Sequence, residues 1–226
     1  MTNTIVLDLD GPLLDGRLRH YACYRSILEE RGYVLVDEET YWRGKRARQN
    51  RRELLEASSA GEFYEEFLEQ WIRRIEQPEM LALDRLQPDV LEILGNWKNQ
   101  GATLVLATMR NNERNTLGQL ESLGLASLLD EILITGSDDG GAGKSGGVAR
   151  FLSNHPTDHA IWVGDTEVDI QAARALGITA YAVTCGLRNR EQLEAQRPDF
   201  LVHDLRDVRR LVEGSRTPEK EALGRE

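Results

Sequence analysis

Three observations predict an α/β fold, a doubly wound parallel sheet with a helical segment inserted near its start. Short apolar, β-rich runs recur along the chain, and helical patterns separate them. After the first run the alternation gives way to a long stretch whose period is wholly helical. Strands that alternate with helices imply a parallel sheet covered on both faces.

The first run, Thr4–Asp10, carries Ile5, Val6, Leu7 and Leu9 and is broken by Asp8 and Asp10. Next comes far more chain than one crossover helix requires. Leu18, Tyr21, Ala22, Ile27 and Leu28 mark one helix there. Phe63, Phe67, Trp71 and Ile75, with Tyr64, Leu68 and Ile72 beside them, mark an amphipathic stripe that reads as packing between helices. Alternation then resumes. Val90, Leu91, Leu94 and Trp97 precede a stop at Gly101, and Ile170, Ala173, Arg174 and Leu176 precede one at Gly177. Further strands are predicted at Thr103–Met109, Glu131–Thr135, Ala160–Asp165, Thr179–Thr184 and Phe200–His203. The resulting division is an α/β core from residues 1–13 and 84–212, a helical insertion over 14–83, and a charged, aperiodic tail over 213–226.

The chain has 226 residues, 29% charged and 40% hydrophobic, with a formal net charge of −10. That composition is ordinary for a globular enzyme, and the acidity argues against nucleic acid or an anionic membrane as partner. Cys23 and Cys185 stand far apart and offer neither a disulfide framework nor zinc spacing. With no signal-peptide pattern and no membrane-length apolar run, the expected compartment is the cytoplasm. Nothing in the sequence sets an oligomeric state.

Ligands of an open parallel sheet bind at the carboxyl ends of its strands. The first strand ends Asp8-Leu9-Asp10-Gly11, the second Ala107-Thr108-Met109-Arg110, and the fourth runs into Gly164-Asp165-Thr166-Glu167-Val168-Asp169. Four acids and a hydroxyl therefore reach one rim. Any one of these acids could cap a helix; the set has a further consequence. Asp8 and Asp10 stand too close to ionise comfortably without a cation, and Asp165 arriving beside them makes a hard, oxygen-rich site that suits Mg²⁺ rather than zinc.

Asp8-Leu9-Asp10-Gly11, Thr108, Lys144 and Gly164-Asp165-x-x-x-Asp169, in that order, resemble the four motifs of the haloacid dehalogenase-like hydrolases. The resemblance covers nearly the whole chain and implies a Rossmann-like core with an α-helical cap, as in the phosphoglycolate-phosphatase-like and β-phosphoglucomutase-like branches. It also implies roles. Asp8 would be the nucleophile that takes a phosphoryl group. Asp10 would be the general acid and then the base. Thr108 would hold a phosphoryl oxygen, and Lys144 would neutralise Asp8 and the phosphate. Asp8 and Asp165 would hold Mg²⁺ with the Asp10 backbone carbonyl, Asp169 orienting a metal water or Lys144. Such an assembly answers a chemical need, because a phosphate dianion repels a carboxylate until cations cancel the charge.

The sequence departs from the pattern in three places. Pro12 follows the first motif, Met109-Arg110 continues the second, and Ser145-Gly146 follows Lys144 where proline is commoner. GGAGKSGG also resembles a nucleotide-binding P-loop, but Asp138 occupies the position where that pattern needs glycine.

The basic run Arg43–Leu54 is the anomaly of an acidic chain. It reads either as a solvated helix face or as groups, Lys45, Arg46 and Arg48 among them, that reach a substrate's distal anion. His20, ten residues after Asp10, reads either as a packing residue or as a group near the substrate. Met109 and Arg110 stand with Thr108 as substrate contacts. The expected function is a Mg²⁺-dependent phosphatase of a small phosphorylated metabolite. The alternatives are a sugar-phosphate mutase using the same aspartyl chemistry and, more remotely, a non-catalytic binding protein on the same fold.

Overall fold

Six parallel strands form the sheet, in the order β5-β4-β1-β6-β7-β8. The structure, a computed structural model, describes residues 3–136, 140–157 and 159–214. In chain order the elements are β1 (Asn3–Leu7), β2 (Leu14–Asp15), α1 (Arg17–Glu29), α2 (Glu38–Arg46), α3 (Arg51–Glu56), α4 (Tyr64–Arg74), α5 (Pro78–Leu81), β3 (Arg85–Leu86), α6 (Val90–Asn99) and β4 (Thr103–Thr108). There follow α7 (Glu113–Ser122), β5 (Glu131–Ile134), α8 (Gly140–Asn154), β6 (His159–Gly164), α9 (Glu167–Leu176), β7 (Thr179–Val183), α10 (Arg190–Glu194), β8 (Phe200–Val202) and α11 (Leu205–Gly214).

β1 is central. Its Ile5 aligns with Leu104 of β4 on one side and Ile161 of β6 on the other. A strand so placed is apolar on both faces, and its side chains divide by alternation. Ile5 and Leu7 join one core cluster with Val90, Ile93, Leu94 and Trp97 of α6. Val6 joins the other with Val148, Trp162, Ile170 and Ala173. β1 stops at Leu7, short of the predicted Asp10, because the chain turns at Gly11, where φ is +101°. The helix stops fall where glycine permits a left-handed residue, at Gly101 (φ +82°) and Gly177 (φ +67°).

The inserted helices leave and rejoin the core through a two-stranded antiparallel ribbon, in which Leu14 pairs with Leu86 and Asp15 with Arg85. Helices α1 to α4 have their own core, in which Phe63, Phe67, Trp71 and Ile75 meet Tyr24, Ile27 and Tyr41. One expected apolar face is rotated: Leu18 is exposed, and α1 buries Arg19, His20, Cys23 and Tyr24 with the expected Ile27 and Leu28. On α6 the expected Val90, Leu94 and Trp97 are buried and Leu91 alone of that set is exposed. An apolar period cannot register a helix face that presents polar groups to a site.

GGAGKSGG is not a loop. Its residues form the first turns of α8, so the phosphate-cradling conformation of a P-loop is absent from this stretch. α11 runs to Gly214 and so takes in the first two residues of the expected tail, and residues 215–226 lie outside the described set. No helix among the described residues is long and apolar enough to cross a membrane.

Trp97 is 1% exposed against the β1–β4 face. Trp97→Ala should lower the unfolding free energy by about 3–5 kcal/mol, read from the urea midpoint at unchanged slope.

Candidate active site

The carboxyl ends of β1, β4 and β6 converge, and α8 adds a lysine from the side. Asp8 follows β1 directly; its N–H donates to the Val163 carbonyl at 2.9 Å, which ties the turn to β6. Asp165 follows β6, and Asp169 lies one helical turn into α9. Asp8, Asp165 and Asp169 are buried, and one oxygen of each lies within 4.8 Å of the others. Lys144 reaches in from α8, its ammonium 2.9 Å from Asp8 Oδ1 and 2.7 Å from Asp169 Oδ1. It too is buried.

Asp169 is fully engaged: Oδ1 also accepts from Trp162 Nε1 at 3.2 Å, and Oδ2 accepts the Thr166 N–H at 3.2 Å and the Thr166 hydroxyl at 2.8 Å. Asp165 is not. Its Oδ2 accepts from the Leu187 N–H at 2.5 Å, while its Oδ1 is buried without a hydrogen-bond partner. Two loops press against this side chain. A Cβ on Gly11 would lie 2.2 Å from Asp165 Cγ, and one on Gly186 would lie 2.0 Å from Oδ2. Only glycine fits either position.

Charge at this cluster does not balance. Three carboxylates face one ammonium, and burial has removed most of the water that would screen them. Burial pushes the Asp8 carboxyl up to about 7, with Lys144 opposing and Asp169 reinforcing. Burial, then Asp8 and Asp169, push Asp165 well above the usual carboxylate range. Lys144 is held protonated, its two carboxylate partners outweighing its burial. A divalent cation fits this donor set: hard oxygens, an orphaned Asp165 oxygen and a charge deficit of the right sign.

Asp10 was expected to offer a metal its backbone carbonyl, and its side chain is engaged elsewhere. Its carboxylate turns away from the cluster and is held by two guanidinium groups. Arg110 Nε donates to Oδ2 at 2.7 Å and Arg110 Nη2 to Oδ1 at 2.8 Å, and Arg19 Nη2 forms an ion pair with the same Oδ1. Burial alone would raise its pKa; Arg110 and Arg19 outweigh that and hold it well below the usual range. Asp84 completes the network, accepting from Arg19 Nε at 2.8 Å and from Gln119 Nε2 at 2.8 Å. Arg110, expected to meet substrate, is thus 4% exposed and committed to Asp10. Thr108 is buried at the end of β4 and Met109 is half-buried beside it.

His20 joins this side of the site. It lines a crevice with Asp10, Gly11 and Trp42, and stacks on Trp71 at 5.5 Å between ring centroids. Its Nδ1 is buried without a partner. Burial, then Lys45 and Arg19, hold it neutral. Arg19 and Asp84 carried no signal in the sequence, although Arg19 precedes His20 directly.

The basic run separates by position. Lys45 Nζ and Arg51 Cζ each lie 5.4 Å from the Trp71 ring centroid. Both line a cavity of about 130 Å³ with Arg48, Arg188, Tyr41 and Phe67. Burial, then Arg51 and Arg188, push the Lys45 ammonium down to about 7. Arg48 pairs with Glu167 at 3.3 Å, Arg46 docks on the core, and Arg43 and Arg52 face solvent.

The haloacid dehalogenase-like hydrolase family matches residues 2–177, and the chain belongs to it. The phosphoglycolate phosphatase of Synechococcus elongatus is 25% identical over 210 residues, covering 92% of this chain and 96% of that protein. The phosphoglycolate phosphatase of Aliivibrio fischeri is 28% identical over 213 residues, covering 87% and 90%. A haloacid dehalogenase-like family protein of Streptococcus pneumoniae superposes with a TM-score of 0.73 at 21% identity, covering 94% of this chain and 98% of that one.

The raised carboxyls fix the sign of a pH effect. A group whose folded pKa lies above its unfolded value destabilises the fold at high pH, and that penalty is lifted as pH falls through the folded pKa. His20 and Lys45, both lowered by burial, act in the opposite sense over the same range. The test is therefore a difference: metal-free Asp165→Asn should gain melting temperature over wild type at pH 8, by about 2–4 °C for each kcal/mol relieved, and gain less at pH 5.5. Thermal denaturation in chelator checks both.

Proposed function

We propose that this haloacid dehalogenase-like phosphatase is Mg²⁺-dependent and hydrolyses a small phosphorylated metabolite through a phosphoryl-Asp8 intermediate. The observation that carries the reading is the buried, charge-deficient cluster of Asp8, Asp165 and Asp169 around Lys144. Mg²⁺ would be held by Asp8, Asp165 and the Asp10 carbonyl, and when bound it supplies the positive charge that a phosphate dianion needs before a carboxylate can attack it.

The chain's own residues do the rest. Asp8 Oδ attacks phosphorus, and Lys144 sits on that carboxylate to offset charge on both partners. Asp169 fixes Lys144, its remaining hydrogen bonds holding it rigid. Thr108 binds a phosphoryl oxygen. Asp10 as found is a carboxylate, the form that deprotonates the attacking water. Its earlier role, protonating the leaving oxygen, would require both Arg110 and Arg19 to loosen their hold on the carboxylate. Arg110 positions Asp10 rather than substrate. The inserted helices, residues 14–83, act as the cap over the core formed by 1–13 and 84–212.

The relatives' names make phosphoglycolate the first substrate to try, and the seam between cap and core supports a substrate with a second anion. Lys45 and Arg51 have no carboxylate partner among the described residues, and His20 Nδ1 lacks a partner nearby. A distal carboxylate would satisfy them, with Arg48 lining the same cavity.

Purified protein should release phosphate from phosphoglycolate with Mg²⁺, lose this activity in EDTA and regain it on Mg²⁺ addition. Asp8→Asn should reduce turnover by about a thousandfold or more while leaving the circular dichroism unchanged. Rapid conversion of β-glucose 1-phosphate to glucose 6-phosphate, with catalytic bisphosphate and little free phosphate, would instead identify a mutase.

Lys45→Met should raise KM for phosphoglycolate by roughly ten- to a hundredfold, the worth of one hydrogen bond to a charged group. Its effect on p-nitrophenyl phosphate, which lacks the distal anion, should stay within about threefold. Equal losses on both substrates would remove Lys45 from substrate recognition.

A further inference from the structure

The loop between β7 and α10 touches the reaction centre and the helical layer at once. Its middle grips Asp165. The Leu187 N–H donates to Asp165 Oδ2 at 2.5 Å, and Gly186 packs on the same carboxylate too closely for any Cβ. The Cys185 thiol donates to the Gly11 carbonyl at 3.4 Å, on the opposite wall of that carboxylate.

Both ends of the span are held by one residue of the helical layer. Arg46, the last residue of α2, donates from Nη2 to the Thr184 carbonyl at 2.5 Å and to the Arg188 carbonyl at 3.3 Å. Its own carbonyl accepts from the Asn189 N–H at 3.0 Å. Arg188 is fastened further to Glu167, two residues after Asp165, at 2.9 and 3.1 Å. A half-buried guanidinium committed to two backbone carbonyls is an expensive feature unless it holds something in place.

We infer that Arg46 is a positioning residue which couples docking of the helical layer to the setting of Asp165. The inference rests on the reading of Asp165 as a Mg²⁺ ligand. With Arg46 docked, the ends of residues 184–189 are fixed, the Leu187 N–H stays on Oδ2, and Oδ1 is left facing the cluster. With Arg46 withdrawn, the loop loses its outer anchors and Asp165 loses its fixed rotamer. Coupling between two sites is reciprocal, so cation binding at Asp165 favours the docked layer in return. The charge needed for attack is then assembled only when the site is covered.

The test uses the full chain without substrate, titrated with Mg²⁺ in a calorimeter. Arg46→Ala should weaken Mg²⁺ binding by about three- to thirtyfold, the usual range of coupling through a packed network. At saturating Mg²⁺ most of the turnover should return, so that the loss falls on the Mg²⁺ requirement rather than on kcat. Arg46→Lys, which keeps the charge and one donor set, should fall between. Arg43→Ala, an exposed neighbour on the same helix whose guanidinium meets only Thr40, should match wild type.

Hydrogen exchange supplies a readout independent of turnover. Mg²⁺ should slow exchange at the Leu187 and Asn189 amides in wild type and fail to do so in Arg46→Ala. An Arg46→Ala protein with wild-type circular dichroism and a Mg²⁺ Kd within twofold of wild type overturns the inference. Should that variant not fold, an Arg46→Lys Kd within twofold of wild type, or no Mg²⁺-dependent protection of Asn189 in wild type, overturns it equally. A wild-type protein that binds no Mg²⁺ at all refutes the underlying reading of Asp165 instead, so the two failures are separable.

Discussion

Three buried carboxylates stand together, two of them paired with one lysine, and the surrounding architecture is arranged to permit that. Asp8 and Asp165 come from adjacent parallel strands, β1 and β6, so their separation is fixed by strand spacing rather than by loop conformation. Asp169 is fixed by the first turn of α9 and by Trp162. Chain crowding requires glycine at Gly11 and Gly186, because both loops must lie against the Asp165 carboxylate. Lys144 offsets part of the repulsion from a third direction. The remainder is a standing cost to the metal-free fold, and a bound cation would relieve it.

Two residues away, Asp10 lives under the opposite rule. Asp10 and Asp84 face Arg19 and Arg110, two acids against two bases, all largely removed from solvent. This second cluster balances in charge, although Arg110 Nη1 and Gln119 Oε1 are buried without a hydrogen-bond partner among the described residues. It draws on the turn after β1, the turn after β4, the ribbon and α1, and so binds the helical layer to the sheet. Removing one partner of such a network leaves a buried charge, at a cost of about 3–5 kcal/mol. Glu76 adds a further tie, accepting the Asn111 and Asn112 backbone N–H groups at 2.9 and 2.6 Å.

The sheet and the acid set were legible in the sequence because both follow from local rules. Apolar runs of strand length mark β1, β4, β6 and β7, and acids at their carboxyl ends mark the rim. The Gly101 and Gly177 stops follow from left-handed backbone geometry. What was not legible depends on contacts between distant segments. The direction in which Asp10 points is set by Arg110, a hundred residues on, and by Arg19 of α1. The buried face of α1 was misjudged because two of its inward residues are Arg19 and His20. The glycine-rich start of α8 resembled a loop because its helical state is imposed by packing against β4, β5 and α9, not by propensity. The resemblance to a known family carried Lys144 where the local sequence did not.

Cations of this acidic chain gather at one seam, where Lys45 and Arg188 are half-buried and Arg48 and Arg51 exposed. At the surface, charges are screened within about 10 Å and the net −10 matters little to a small ligand. At the seam between the helical layer and the sheet, Lys45, Arg48, Arg51 and Arg188 converge on one small cavity. They repel one another, and the crowding contributes to the fall of Lys45 to about 7. Glu167 offsets two of them, Arg48 and Arg188; the other two rest on the face of Trp71. Lys45 comes from α2, Arg51 from α3, Arg48 from the turn between them and Arg188 from the loop before α10, so like charges of the helical layer and of the core meet at this seam. Their mutual repulsion is an electrostatic cost at the contact between layer and sheet, as the uncompensated acids are beneath it.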